Sequence, residues 1–289
     1  PWTLLHRQSG RRDSVQMRTV VTYSFSQLEP YINWVYFYHA WSLNGKPESE
    51  RQRMKAEALD TLRQTEDCFK ARAIIGLYPA WGDGDDIVLD GGERIPLLRQ
   101  QHPAKGCDYT LCLSDFVRPA GYGEPDHIGV FATTVDSGME TDCHGDIYQQ
   151  MLRQTLADRL AEAAAERLHY EVRTRIWGYQ PDEPEDPARM LACDYQGIRP
   201  AIGYPSMPDT SLNFVLDRLL HFTDIGIRLT ESGMMTPHAS VSGLMISHPE
   251  ARYFDLGKIG DDQLADYAHR RGIPITLMRK FIESNMIRQ

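Results

Sequence analysis

No CxxC pair occurs in this sequence. Its five cysteines, Cys68, Cys107, Cys112, Cys143 and Cys193, are scattered and odd in number. Zinc ribbons and dithiol redox motifs need closely paired thiolates, so these residues read as reduced thiols of a cytoplasmic protein. His127 and the Cys143-His144 pair are ligand types, but no second cluster at ligand spacing completes a metal site, and none is expected. Nucleotide fingerprints are missing as well: Gly76 and Gly82-Asp-Gly84 belong to no GxGxxG that opens a helix after a strand, and no GxxxxGK[ST] appears.

Long apolar runs are also absent. Nothing approaches the roughly 18 to 20 residues that span a bilayer, and Pro1 to Arg12 is polar and basic without the apolar centre of a signal peptide. A soluble chain with no membrane partner is expected, and a start at Pro1 leaves open that the chain was trimmed. Positive charge is in short supply: 31 Lys and Arg stand against 40 Asp and Glu, a net charge of -9. A binder of phosphate backbones needs clustered cations, so nucleic acid is not an expected partner. Internal repeats and low-complexity tracts are absent too.

What the chain does have is 42% hydrophobic residues over 289 positions, enough for a substantial core. Tyr23 to Trp41 concentrates aromatics, read first as core packing, and a charged helix-forming stretch follows from Glu48 to Lys70. Arg72 to Tyr78 and Ile87 to Leu89 flank a turn-rich Trp81 to Asp86, which predicts a hairpin. Tyr109 to Phe116 and His127 to Thr134 are two further strand candidates. Four strands before a long helix favour α+β with an antiparallel sheet over a βαβ repeat.

From Ile147 to Arg173 apolar residues recur every fourth position through Leu152, Leu156, Leu160, Ala164, Leu168 and Val172, which predicts an amphipathic helix. Asp158, Glu162 and Glu166 fall on its opposite, polar face. Gln180 to Pro187 is an acidic, proline-rich connector. Ser240 to Ile246 and Tyr253 to Gly257 read as strands. A helix begins near Asp261 and stops at Gly272, and a last one starts after Thr276, whose hydroxyl can cap it.

Two segments lack helix or strand periodicity along most of their length: Asp194 to Pro205 and Leu229 to Gly243. In the first, Arg199 stands between Ile198 and Pro200, with Gly203, Tyr204 and Pro205 following. Such a stiff loop either holds a guanidinium to fork onto a carboxylate or is an ordinary surface loop with a solvated arginine. In the second, Thr230, Glu231 and Ser232 with Ser240, Ser242 and Gly243 offer small polar groups and backbone donors of the kind a polar ligand needs.

The YQGIRPAIGYP run from Tyr195 to Pro205, together with the LTES, PHASVSG and SHPEARYF stretches between Leu229 and Phe254, closely resembles the C-terminal activation domain of cobalamin-dependent methionine synthase. Tyr31-Ile-Asn-Trp34, Trp41 to Lys46, Asp115-Phe116, Leu156 to Glu162 and Ile176 to Tyr179 extend the likeness, which runs from about Tyr23 to Met278. Residues 1–22 are read as an N-terminal extension and 23–289 as the activation-type domain. The resemblance implies an α+β fold, a single C-shaped domain with a long twisted antiparallel sheet bracketed by helices.

The resemblance further implies a component of a methyltransferase that binds S-adenosylmethionine and supports reductive remethylation of cob(II)alamin in methionine biosynthesis. Cobalamin would be supplied by a cobalamin-binding module or corrinoid protein, and electrons by flavodoxin or a flavoprotein reductase. By the same matching, Arg199 pairs with the ligand carboxylate, while the backbone at Ala201 and Gly203 approaches the ligand closely. Tyr204 takes the catalytic role of facing the corrin and helping to remove the upper water from cobalt, and Tyr253 with Phe254 supplies aromatic faces. Glu162 matches an acidic residue near the ligand, and Asn33 stands where the family has an aspartate.

Phe254 likewise replaces a family tyrosine, so two polar groups are altered. No DxHxxG cobalamin loop and no zinc or folate module is found in these 289 residues, so the chain acts either as part of a longer enzyme or in trans. The alternative is a non-catalytic docking or sensing module with a decayed S-adenosylmethionine site. A free-standing methyltransferase is disfavoured because no general base or nucleophile stands out.

Overall fold

In the computed structural model the described residues are 17–142 and 145–287, so Cys143 and His144 lie outside them. The strands are β1 (Met17–Tyr23), β2 (Ala71–Asp83), β3 (Asp86–Leu89), β4 (Arg94–Pro96), β5 (Asp126–Val135), β6 (Arg228–Leu229), β7 (Met235–Thr236) and β8 (Ser240–Met245). The main sheet runs β4-β3-β2-β5-β8, with β1 also on β2, and its pairings are antiparallel. The sheet thus begins inside the segment read from sequence as an extension, because Thr19, Val20 and Val21 pair with Ile75, Ile74 and Ala73.

The expected hairpin is β2–β3, closed where Asp83 pairs with Asp86 and Gly84 takes φ +60°. Alternation then sends successive side chains to opposite faces. Ala71, Ala73 and Ile75 of β2, Phe131 and Val135 of β5, and Val241 and Met245 of β8 enter one core. Ile74, Tyr78, Ile128, Val130, Ala132 and Leu244 enter a second core on the other face. Both faces of the sheet are therefore covered, and the layers are helix, sheet and helix with loops.

The helices are α1 (Phe25–Leu28), α2 (Trp34–Ala40), α3 (Glu48–Thr65), α4 (Gly138–Thr141), α5 (Ile147–Glu171), α6 (Pro187–Leu191), α7 (Asn213–Leu220), α8 (Asp261–Arg271) and α9 (Ile275–Phe281). Asp146 caps α5 by accepting from the Gln149 N–H at 3.1 Å, and the Leu152, Leu156, Leu160, Ala164 and Leu168 stripe lies in the first core. Val215, Leu216 and Leu220 of α7 fill the second. A third cluster joins α8 and α9 through Leu264, Tyr267, Ala268, Met278 and Ile282. Gly272 ends α8 at φ +64°, as its position predicts.

Three sequence expectations are corrected. Tyr109–Phe116 is not a strand: Leu113–Phe116 is a 3₁₀ turn. Asp115 accepts from the Cys112 N–H at 2.8 Å and is gripped by Arg99, while the Gln100 side chain and backbone take both polar groups of Leu111, so the bonds a ladder needs are already made. Tyr253–Gly257 is irregular, because Leu256 N–H donates to Pro205 and the Asp255 carbonyl accepts from Gln100, and Gly257 turns at φ +73°. Helix α9 starts at Ile275 behind Pro274 rather than after Thr276, which lies inside its first turn.

Candidate functional site

The Asp194–Pro205 loop is irregular in sequence because it is half a strand. Ile198 and Ile246 exchange both backbone hydrogen bonds, at 2.9 and 3.0 Å, Pro200 accepts from the Leu244 N–H at 3.0 Å, and Ile202 donates to Ser242 at 2.9 Å. The chain thus lines the free side of β8, and Pro200, whose ring nitrogen faces β8 without an N–H, bonds there through its carbonyl alone and interrupts the ladder at that one position. Gly243 permits the approach: a Cβ on it would lie 2.2 Å from the Pro200 carbonyl oxygen. Alternation then places Ile198 in the second core, while Arg199 and Ala201 turn toward α5.

Arg199 reaches Glu166 of α5, with its Nη2 donating to Oε2 at 2.9 Å, and both side chains are only 10% exposed. Its guanidinium carbon lies 5.8 Å from the centroid of Phe131. Burial works against the guanidinium's charge, but Glu166 beside it prevails and holds the pKa of Arg199 above its ordinary value. The backbone N–H of Arg199 donates to the Tyr253 hydroxyl at 2.9 Å. Arg199 Nε and Glu166 Oε1 are buried without hydrogen-bond partners.

Gly203, at φ +89°, and the bonds Gly203 N–H to Met207 and Met207 N–H to Tyr204 make a tight turn with Tyr204 at its tip. The Tyr204 hydroxyl donates to Glu162 at 2.5 Å, while half of the residue stays exposed. One turn earlier on α5, Asp158 meets His238 at 3.2 Å. Asp158, Glu162 and Glu166 form a ladder, each rung holding a residue of the two segments that lacked periodicity.

The polar face of α5 is therefore partly covered. Glu166 is buried, because the loops cover the helix from outside the sheet.

Of the residues singled out from sequence, Glu162, Arg199, Ala201, Gly203, Tyr204 and Tyr253 are thus joined by one loop and its contacts. Phe254 packs against the second core and, with Tyr253, Tyr109 and Arg252, lines a cavity of about 490 Å³. Asn33 caps α2, its Oδ1 accepting from the Val35 N–H at 3.1 Å. Tyr36, on the same helix, lies under Arg159 of α5, with its ring 5.8 Å from the guanidinium carbon.

Behind the loop lies a support that sequence reasoning did not single out. Arg173 grips Glu183 of the acidic connector through two bonds, Nε to Oε2 at 2.6 Å and Nη2 to Oε1 at 2.7 Å. Its guanidinium stacks 3.8 Å from the centroid of Tyr195, and His169 meets the same ring edge-on at 5.1 Å. Complete burial, with Arg173 and Arg199 nearby, holds the His169 pKa well below the usual imidazole range. The four-residue spacing from Glu162 through Glu166 to Tyr170 was the available signal for Glu166, and nothing local marked His169.

Among the described residues, no three or more His, Cys, Asp or Glu side chains are placed to hold a metal ion, and no helix is long and apolar enough to cross a membrane. Residues 24–272 match the family model of the vitamin B12 dependent methionine synthase activation domain. Among solved structures, the crystal structure of the MetH reactivation domain bound to AdoHcy superposes with a TM-score of 0.88 at 36% identity, covering 95% of this chain and 91% of that one. The α+β, single-domain antiparallel architecture expected from the resemblance is the one found.

Proposed function

The chain belongs to the family of vitamin B12 dependent methionine synthase activation domains, and from that premise we propose that it binds S-adenosylmethionine and supports the reductive remethylation of cob(II)alamin. The observation that carries this reading is the half-made ion pair. Arg199 is buried, charged and rigidly placed along β8, yet it uses one arm on Glu166 and leaves Nε unmet. An arginine held this way is a receptor for a carboxylate, because its fork is preorganised and its desolvation has already occurred. The similar MetH reactivation domain was crystallised with AdoHcy, whose amino-acid end carries such a group.

In this reading the loop supplies backbone from Ala201 and Gly203 beside the ligand, and Tyr253 offers its ring. Asn33 keeps an acceptor oxygen, already engaged in its helix cap, and Phe254 retains an aromatic face. Cobalamin, carried by a partner module or corrinoid protein, supplies the methyl acceptor. In this reading Tyr204 is the residue of the loop that meets that partner, and its half-exposed position and tether to Glu162 support the assignment. Flavodoxin or a flavoprotein reductase supplies the electron, and the chain works within a longer enzyme or in trans.

Calorimetric titration with S-adenosylmethionine and S-adenosylhomocysteine tests the proposal. Saturable binding of both is expected. An absence of heat up to millimolar ligand overturns it and favours a docking or sensing module with a decayed site, which the changes at Asn33 and Phe254 would then explain.

A further inference from the structure

We propose that Glu166 is a specificity residue that reads the α-ammonium of the bound ligand. The inference rests on the S-adenosyl reading above and assigns the amino-acid end of that ligand to one ion pair. Glu166 gives Oε2 to Arg199 and keeps Oε1 buried without a partner, and Arg199 gives Nη2 and keeps Nε without one. A buried carboxylate oxygen left unmet is unfavourable and uncommon in native proteins. Here two unmet atoms of opposite character belong to the same pair, each two bonds from the 2.9 Å contact.

A group that carries a carboxylate and an ammonium on one carbon completes both. Its carboxylate meets Arg199 Nε, and its ammonium meets Glu166 Oε1. A simple anion completes only the first and brings a second negative charge beside Glu166. The pair therefore selects a zwitterion over a carboxylate of the same size. Asn33 does not compete for this role, because it is neutral and its Oδ1 accepts from Val35. Tyr204 and Tyr253 flank the pair and are about half exposed.

The experiment titrates S-adenosylhomocysteine and its desamino analogue, which keeps adenosine, thioether and carboxylate, into the wild-type chain, Glu166→Gln and Glu166→Asp. In the wild type the amine is expected to strengthen binding roughly tenfold. In Glu166→Gln, which keeps an acceptor for Arg199, that advantage is expected to vanish, the desamino ligand binding as well as or better than its parent. Glu166→Asp keeps the buried charge that balances Arg199 but withdraws the carboxylate by one methylene, and it should cut the amine advantage at least threefold.

A purely structural Glu166 would weaken both ligands alike. An amine advantage unchanged within twofold in either folded variant overturns the inference while leaving the S-adenosyl reading intact. If the wild type binds neither ligand, that reading falls and this inference falls with it.

Discussion

Arg173 and Arg199 are both buried, both face a glutamate and both lie near an aromatic ring, yet they are built for different ends. Arg173 closes a two-armed fork on Glu183, with the two side chains 0% and 8% exposed, and ties the acidic connector to the end of α5. Arg199 makes a single bond to Glu166 and leaves an atom unmet on each side. The fork on Glu183 occupies both oxygens of that carboxylate and leaves only Arg173 Nη1 unmet, whereas the contact with Glu166 leaves a buried atom unmet on the arginine and on the carboxylate alike. Under the proposed function the connector acts as scaffold and the loop along β8 as receptor. Either assignment can be broken by experiment.

The largest effect should come from the scaffold. Arg173→Ala strands the Glu183 carboxylate in a buried position and uncovers the Tyr195 ring, and breaking such a pair typically costs about 3 to 5 kcal/mol. Urea unfolding of the variant should show that loss. Next comes the receptor: Arg199→Ala should weaken S-adenosylhomocysteine by roughly 1.5 to 3 kcal/mol, the range of a charge-assisted hydrogen bond, as read by calorimetry. Unfolding of this variant should show a smaller stability loss than Arg173→Ala. Equal stability losses would erase the distinction between the two arginines.

Much of the scaffold was legible because its signals are local. The β2–β3 hairpin, β5, β8, α5 and α8 follow from alternation, a four-residue stripe and a terminal glycine. Tyr109–Phe116 and Tyr253–Gly257 misled because Arg99, Gln100 and Pro205 satisfy their backbone and side chains from a distance, which no window of residues displays. At the receptor, Arg199 stood out through its stiff neighbours and the family motif. Glu166 did not, because a periodic acidic face looks solvated until a loop from 33 residues away is laid over it.

A third effect links the two regions. His169 is fully buried, packs against Tyr195 and feels both arginines, so it resists protonation in the folded chain. An unfolded histidine takes up its proton near pH 6.5, so below about that pH the unfolded state binds the additional proton and stability falls, while above it the contribution is complete. The wild type should lose up to about 1.4 kcal/mol per pH unit from this group as the pH drops below about 6.5. Urea midpoints at pH 7.5 and 5.5 for the wild type and His169→Gln measure it. The variant's midpoint should vary less with pH, and parallel curves would mean that His169 accepts a proton in place.

The smallest effect should lie at the tip of the receptor loop. Tyr204→Phe deletes the hydroxyl that donates to Glu162, but the residue is half exposed and water can replace the lost partner, so the cost should be near 0.5 kcal/mol. For a chain of this size that is a fall in Tm of roughly 1 to 2 °C. Arg199 keeps its bond to Glu166 and its backbone bond to Tyr253, so S-adenosylhomocysteine affinity should change by less than about threefold. Support of remethylation in the presence of a cobalamin partner should fall much further, because there the hydroxyl would act on the partner's side of the loop. A drop in Tm as large as that of Arg173→Ala would show that the tip is clamped as firmly as the connector, and that Tyr204 and Glu162 belong to the scaffold rather than to the receptor.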